Sequence, residues 1–283
     1  MAYALGQIAR RAGEAPGSVT LRIIEPTKTL SDDLARLYLR VVRLWRDEAR
    51  NRLLPVYVRE VERLTSDAQP PGAGRFQRDE AADLERQIIA AEAQAAAVIA
   101  VLSADLNEWM FRAEEWHADK FAAYVKSGTG VSVDALMSQQ AVRDAVQAAL
   151  AENIGLITSV SDQTRLRISE IIWRGFQART PRRVIAREIN HALDLGRKRS
   201  LRISVDQTTK LSAALDRARQ QEAGMEAFNW RHSGKVNYRP EHKARNGKLF
   251  KWSSAVAKTD PPGQAVNCAC KAAPVLVIPE EAE

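Results

Sequence analysis

The chain has 283 residues, of which 45% are hydrophobic and 27% charged, and its formal net charge is +7. A hydrophobic fraction of this size excludes an intrinsically disordered chain, and the length allows one large or two moderate domains. Aromatic residues make up only 6% of the chain, and alanine and arginine dominate its middle, so the composition favours helices over sheets.

The first third of the chain predicts an arm followed by an interrupted helix. Residues 1–30 contain Gly, Pro and Thr without clear periodicity, which predicts an extended N-terminal arm with a short strand at Val19–Ile24. Ser31 is a good helix cap, and the apolar residues after it recur every three or four positions. Pro55 should kink or interrupt this helix. The segment 66–74, rich in Pro and Gly, predicts a loop.

The middle of the chain predicts a series of helices separated by stop signals. A long helix is expected from Asp79 to Lys126, ended by the Gly-containing segment 127–130. Helices should follow at 132–152, at 153–178, from the Thr180–Pro181 pair to Gly196, and from Ser204 to Ala223. Thr180 and Pro181 have the residue types expected at a helix cap and first turn.

After Gly224 the helical periodicity disappears and turn residues accumulate. Apolar runs at Ala227–Trp230, Lys248–Trp252 and Val275–Ile278 predict short strands. The predicted fold class is therefore mainly α with a small α+β C-terminal module, in which an elongated helical body precedes a compact, turn-rich module. The predicted domains are an arm at 1–30, a helical body at 31–150, and a domain at 151–283 that is helical to about residue 224.

Three sequence features predict a protein that is made in the cytoplasm and has no membrane contact: the character of the N-terminal residues, the length of the longest apolar run, and the spacing of the cysteines. Residues 1–13 lack the apolar core of a signal peptide. The alanine-rich run 88–102 carries Glu92 and is shorter than the about 18 apolar residues that a membrane span needs. Cys268 and Cys270 lie too close in sequence for an unstrained disulfide, so reduced thiols are expected.

The excess positive charge is concentrated between residues 228 and 271. This segment holds nine basic residues against Glu241 and Asp260, while the rest of the chain is neutral. Such a segment predicts an anionic partner, with nucleic acid the first candidate, and the alternative is a solvated basic face. The candidate DNA-binding residues are Arg231, Lys235, Arg239, Lys243, Arg245, Lys248 and Lys251.

Four residues of the same segment form a candidate metal site. Thiolate and imidazole are the usual ligands of structural zinc, and the segment supplies Cys268, Cys270, His232 and His242. For the histidines to reach the cysteines, turns at Asn246–Gly247, a hairpin-turn signal, and at 261–263 must fold the segment back. The alternative leaves Cys268 as a small buried hydrophobe and His242 hydrogen-bonded to a turn.

Two further patterns in the segment have a functional and a structural interpretation. His232, Asn237 and His242 are the residue types of a His/Asn/His nuclease site, but no predicted helix and no carboxylate are placed to complete it. Trp230 and Trp252 could stack on bases, and core packing is the interpretation that we favour.

The order of these elements resembles the phage Mu protein F-like head proteins. The resemblance rests on Trp230–Arg231, Arg239 with His242, Asn246–Gly247, Pro262–Gly263, and Asn267-Cys268-Ala269-Cys270. It covers about residues 150 to 277. The sequence departs from the family at Ala269, where Arg is usual, and at 234–237, where an acidic residue is common.

The resemblance implies a structural minor head protein of a tailed bacteriophage rather than an enzyme. Such proteins act in head morphogenesis and in DNA packaging or delivery. The implied partners are the portal protein, the major capsid protein and phage DNA, and the implied location is the capsid interior or portal vertex of the virion. A metal-dependent DNA-processing enzyme and a general DNA-binding protein remain the alternatives.

Overall fold

The structure is a computed structural model that describes residues 3–66 and 76–280. Long helices precede a small antiparallel sheet, so the predicted fold class, mainly α with a small α+β module, is confirmed. The helices are α1 (Leu5–Arg11), α2 (Lys28–Glu48), α3 (Leu54–Ser66), α4 (Phe76–Thr129), α5 (Gln139–Gln177), α6 (Arg182–Glu222), α7 (Pro240–Ala244) and α8 (Ala255–Thr259). The strands are β1 (Gly17–Thr20), β2 (Ala227–Arg231), β3 (Leu249–Lys251) and β4 (Lys271–Ile278).

The described chain divides into two compact units, each assembled from separated segments. The first contains residues 1–33, 107–152 and 204–283, and the second contains 34–106 and 153–203. The helices α4, α5 and α6 contribute to both units. This grouping rests on contacts in space, and the predicted division into 1–30, 31–150 and 151–283 stays a prediction.

The sheet of the first unit has the strand order β1-β4-β2-β3, with every pair antiparallel. β4 lies between β1 and β2, and seven of its eight residues are buried. Its apolar sequence explains this position, because a central strand covered on both faces needs apolar side chains throughout. Gly17 of β1 pairs with Ile278, and Arg231 of β2 pairs with Lys271.

The N-terminal segment is not the extended arm that the sequence predicted. Residues 5–11 form α1, where Leu5 and Ala9 are fully buried in a core that includes Leu276 and Ile278 of β4. The helix was missed because it is only seven residues long and its apolar stripe is correspondingly short. The predicted strand at Val19–Ile24 begins earlier and ends at Thr20.

The second unit packs α2 and α3 against parts of the long helices through aromatic side chains. Trp45 is buried and donates from its indole nitrogen to the Ser161 hydroxyl at 2.9 Å. The Tyr57 hydroxyl donates to the carbonyl oxygen of Thr180 at 2.6 Å. These helices carry both apolar and polar residues, and they are stabilised by tertiary packing rather than by intrinsic helix propensity.

Pro55 does not interrupt the helix but changes its winding. A π-helical turn, Ala49–Leu53, separates α2 from α3, and the chain stays helical from Lys28 to Ser66. A wider turn accommodates a residue that has no N–H to donate and whose ring crowds the preceding turn. The loop predicted at 66–74 falls almost entirely on residues 67–75, outside the described residues.

Two predicted helix breaks are wrong, because α5 and α6 are continuous. α5 passes through Asn153, whose buried side chain accepts a 2.9 Å hydrogen bond from the Tyr38 hydroxyl. α6 passes through Gly196, where an added Cβ would lie 3.0 Å from the Thr164 hydroxyl oxygen. Both residues are helix-breaking types that tertiary contacts hold inside a helix. α5 also begins at Gln139 rather than at 132 or 134.

Part of α4, within Ala82–Thr129, has the length and composition of a membrane span, contrary to the expectation from the sequence. Length and composition alone are weak evidence of a membrane span, because buried core helices share them, but only 22% of the apolar stretch of α4 is buried. Glu92 on this part of α4 also forms a 2.5 Å ion pair with Arg165 of α5. The absence of membrane contact stays a prediction.

Candidate metal centre

A short helix places His242 in the interior of the first unit. Arg239 is extended and Pro240 is the first residue of α7, as proline's fixed φ and missing N–H favour. His242 is only 2% exposed, whereas the other residues of α7 are exposed. No helical periodicity marks the sequence around His242, because a five-residue helix is too short to show one.

The two cysteines lie between a turn and the start of β4. Gly263 has φ 81° and Asn267 has φ 58°, so the chain bends twice in the left-handed region before Cys268. The Asn267 N–H donates to the carboxylate of Asp206 at 2.5 Å, and the Cys268 N–H donates to the Ala265 carbonyl at 2.9 Å. These contacts fix the backbone that carries both thiols, and the predicted turn at 261–263 is confirmed.

Three potential ligand atoms converge in this part of the molecule. The atoms of His242, Cys268 and Cys270 all lie within 4.8 Å of one another, and all three residues are buried. His242 Nδ1 is 3.4 Å from Cys268 Sγ and 3.7 Å from Cys270 Sγ. Neither cysteine forms a disulfide. Three of the four predicted metal ligands are thus brought together.

The other ring nitrogen of His242 faces a carboxylate. Nε2 lies 2.9 Å from Asp260 Oδ2, and Arg245 donates to that same oxygen at 2.6 Å. The guanidinium of Arg245 also lies 4.9 Å from the ring centroid of Trp230, whose edge packs on His242. Asp260 and Arg245 therefore fix both the position and the orientation of the imidazole.

The thiols hydrogen-bond to each other and to backbone amides. The hydrogen bond from Cys270 lowers the pKa of Cys268 to about 5, and the same contact raises the pKa of Cys270. Backbone N–H groups of Cys270 and Gly263 also favour the Cys268 thiolate, and that of Ser233 favours the Cys270 thiolate. Burial raises the pKa of Asp260. Hydrogen bonds from Arg245 and His242 lower it by a larger amount, so the pKa of Asp260 lies below its usual value.

His232 is not part of this group, and its inclusion in the predicted ligand set is wrong. Its Nδ1 accepts a 3.1 Å hydrogen bond from the Gly234 N–H, and its ring packs edge-on against Tyr238. Its backbone N–H donates to the Asn246 side chain at 3.0 Å.

The Asn246–Gly247 turn follows α7 and precedes β3 in the chain. It does not form a two-residue hairpin that directly joins two strands.

Most of the candidate DNA-binding residues are exposed, with one exception. Arg245 is turned inward to Asp260, with its side chain 20% exposed. Lys243 contacts the Tyr238 hydroxyl at 3.2 Å, and Arg239 donates to the Val266 carbonyl at 3.2 Å. The remaining exposed candidates are Arg231, Lys235, Lys248 and Lys251. Their role in binding DNA stays a prediction.

Trp230 and Trp252 belong to the core, as the structural interpretation of the sequence predicted. Trp230 is fully buried and Trp252 is 5% exposed. Trp252 packs on Phe228, with ring centroids 4.2 Å apart, and Trp230 contacts Phe250, with ring centroids 6.0 Å apart. Cys268 and Cys270 belong to the same hydrophobic cluster.

A second polar cluster in the first unit was not anticipated from the sequence. His117 of α4 is fully buried, with Nε2 3.1 Å from Asp216 Oδ1 and Nδ1 2.6 Å from an Arg219 nitrogen. Arg219 also pairs with Glu114. The sequence around His117 does not reveal these contacts, because its partners lie about a hundred residues away. The spacing of Asp216 and Arg219 on one helical face was the available signal.

Comparison with known proteins supports the resemblance inferred from the motifs. Residues 166–273 match the family model described as phage Mu protein F like protein. An uncharacterized protein of Haemophilus influenzae is 30% identical over 174 residues, which are 60% of this chain and 38% of that protein. The chain thus spans well under half of that relative's length. No solved structure matches the chain.

The family match includes every residue of the candidate metal centre. His242, Asp260, Cys268 and Cys270 all lie within residues 166–273. The match agrees with the resemblance to phage Mu protein F-like proteins over the C-terminal part of the chain.

Proposed function

We propose that this chain is a minor head protein of a tailed bacteriophage that acts in head morphogenesis. The observation that carries the proposal is the family match over residues 166–273. These residues include α6, the strands β2 and β3, and both short helices around the metal centre. The matched region is therefore a structured part of the protein, and three of its motif residues, His242, Cys268 and Cys270, lie together in its interior.

The helices offer surface for contacts with the portal or the major capsid protein. Several large apolar side chains on α4, α5 and α6 are exposed, among them Val101 and Phe111 at 60% each and Leu166 at 55%. Large exposed apolar side chains are residues that a protein partner could cover, and these are our candidates for the contact. We assign the docking role to these helices and the DNA-facing role to the exposed cations near β2 and β3.

We favour a structural role over the DNA-processing alternative. The three residues of the suggested nuclease site are not gathered together. His242 belongs to a buried group that contains neither His232 nor Asn237. Both ring nitrogens of His242 already face partners, Asp260 on one side and the thiols on the other. A general base needs a free nitrogen within reach of a substrate proton.

The test is genetic and biochemical, in the phage that encodes this chain. A stop codon placed early in the gene should leave tails assembled but reduce infectious, DNA-filled particles, and full-length protein supplied in trans should restore them. The protein should also be detected in purified heads. Normal particle yield without the protein, together with its absence from heads, would contradict the proposal. Metal-dependent nicking of supercoiled plasmid by the purified chain would favour the enzymatic alternative.

A further inference from the structure

The distances from His242 Nδ1 to the sulfurs of Cys268 and Cys270 match those between ligands of one metal ion. A tetrahedral zinc ion with Zn–S of about 2.3 Å and Zn–N of about 2.0 Å sets its nitrogen and sulfur ligands about 3.5 Å apart. The observed separations of His242 Nδ1 from the two sulfurs are 3.4 and 3.7 Å. An ion could therefore be held with little movement of the chain.

The tautomer of His242 directs the lone pair of Nδ1 at the two sulfurs. In a neutral histidine one ring nitrogen carries the proton and the other a lone pair. Nε2 faces the carboxylate of Asp260 at 2.9 Å, which is held in its ionised form by Arg245, so Nε2 is the nitrogen that donates. The lone pair of Nδ1 then faces both sulfurs, and it can accept a hydrogen bond from only one of them. A cation placed between the three atoms is bound by the lone pair of Nδ1 and by both sulfurs.

The surroundings of the three ligands are those that metal ligands usually have. A histidine that binds zinc generally donates its other N–H to a carboxylate or carbonyl, which fixes the ring and raises its basicity. Asp260 occupies that position, and Arg245 holds Asp260. Amide N–H groups of Gly263, Cys270 and Ser233 are directed at the sulfurs.

The charges also balance. Two thiolates neutralise a divalent cation, and Asp260 is neutralised by Arg245. Buried charges are tolerated when they are paired or coordinate a metal. A site composed of one zinc ion, two thiolates, a neutral imidazole and an Asp–Arg pair carries no net charge, which suits ligand side chains that are between 2% and 6% exposed.

We propose that His242 Nδ1, Cys268 Sγ and Cys270 Sγ bind one zinc ion, with Asp260 as the residue that positions the imidazole. Among the described residues no further His, Cys, Asp or Glu joins this group. The ion joins α7 to the segment that precedes β4, across 26 residues of sequence. It supplements a cluster of only seven buried residues around Trp230.

This placement gives the ion a structural role. Small modules with little apolar core often depend on a metal, and the free energy of binding then becomes free energy of folding. The ligands come from two segments that have no strand pairing with each other, and few contacts, such as the hydrogen bond from Arg239 to the Val266 carbonyl, join them without the ion. Zinc should therefore stabilise the module that contains β2, β3, α7 and α8.

The first experiment measures metal in the full-length protein, purified from zinc-supplemented cells and passed through a desalting column. We expect about one equivalent of zinc per chain, and its loss in Cys268→Ser and Cys270→Ser. His232→Ala is the matched control, because this histidine lies ten positions from His242 and outside the ligand group, and it should retain the metal. Zinc retained by a Cys268→Ser/Cys270→Ser double variant would overturn the proposal.

A second experiment covers the case in which the cysteine variants fail to fold. Cobalt added to the metal-free wild-type protein should produce a thiolate-to-cobalt charge-transfer band and the visible bands of tetrahedral cobalt. Asp260→Asn keeps the ligands and should weaken cobalt binding about 10- to 100-fold. Wild-type protein with no zinc and no cobalt–thiolate band would leave the cysteines as core residues and disprove the proposal.

Discussion

At the scale of single residues, the buried histidine His117 is held in one protonation state. The guanidinium of Arg219 can only donate, so Nδ1 of His117 must accept, and Nε2 carries the proton towards Asp216. Burial lowers the pKa of His117, and Asp216 offsets only part of this shift. A second proton on the ring would break the hydrogen bond from Arg219 and leave two cations together in the interior.

This arrangement predicts a stability that decreases in weak acid. Because the pKa of His117 is lower in the folded state, the unfolded chain takes up the proton first as the pH falls. The contribution of neutral His117 is present above about pH 6.5 and is lost progressively below it. Urea unfolding of His117→Gln should show a loss of about 1–3 kcal/mol at pH 7.5 and a flatter decline towards pH 5 than the wild type. His191→Gln, an exposed control, should follow the wild-type profile, and a wild-type curve parallel to that of His117→Gln would refute the prediction.

The candidate metal centre shows what residue types alone could predict. Two cysteines beside turn residues, with histidines upstream, were enough to suggest a thiolate–imidazole site. They could not decide between His232 and His242, since that choice depends on α7, which turns His242 inward. Nor could they identify Asp260 and Arg245 as the residues that orient the ring, because these contacts span 18 and 15 residues that include β3 and α8.

At the scale of elements, the sequence predicted the existence of the long helices well and their ends poorly, and it missed the short helices α1, α7 and α8. The long helices were recognised by periodicity, but the predicted breaks near Asn153 and at Gly196 do not occur. Residue types that usually end a helix can be retained inside one by tertiary packing. This happens when a glycine lies against a neighbouring helix or when a polar side chain hydrogen-bonds to a buried partner. The strands β2, β3 and β4 were located because turn residues surround short apolar runs.

Two glycines in helices provide a direct test of how α1 docks on β4. An alanine Cβ at Gly6 would overlap the backbone carbonyl oxygen of Val277, whereas one at Gly155 of α5 would meet nothing within 4 Å. Gly6→Ala should therefore destabilise the protein by about 1–3 kcal/mol through overpacking. Gly155→Ala should stabilise it by about 0.5–1 kcal/mol, because alanine has the higher helix propensity.

Chemical unfolding of the two variants and the wild type measures both effects. The two substitutions add the same methyl group, so their opposite signs isolate the effect of the close approach to β4. A Gly6→Ala variant as stable as the wild type would show that α1 does not pack on the β4 backbone in solution. It would also restore the extended arm that the sequence predicted.

At the scale of the whole molecule, the two ends of the described chain meet in one sheet. β1 pairs with β4, and the Leu5 N–H bonds to the Ala223 carbonyl at 3.3 Å. The pairing of β1 with β4 could not be predicted, because β1 is only four residues long and its sequence contains no motif that indicates which strand it pairs with. The consequence is that the basic segment is presented by a sheet whose edge strands come from distant parts of the sequence.

The distribution of charge on that segment determines how it should bind DNA. Of its nine basic residues, Lys271 is buried and Arg245 is paired with Asp260, which leaves fewer for phosphates than the sequence count indicated. Lys235, Lys248 and Lys251 are exposed. Binding by such residues should be sequence-independent and should weaken as salt rises, because each neutralised phosphate releases counterions.

The prediction compares two triple variants of equal charge. Changing Lys235, Lys248 and Lys251 to Gln should weaken binding of duplex DNA, and the slope of log affinity against log salt should become shallower by about 0.9 for each phosphate that the protein no longer neutralises. Changing the exposed residues Arg182, Arg183 and Arg187 of α6 to Gln removes the same net charge and should leave the slope near the wild-type value. Equal reductions in affinity for the two variants would mean that the net charge of +7, rather than the C-terminal segment, attracts DNA. Unchanged affinity in the lysine variant would remove DNA from the proposed partners, while the proposals for head assembly and for zinc would stand, since neither depends on these three lysines.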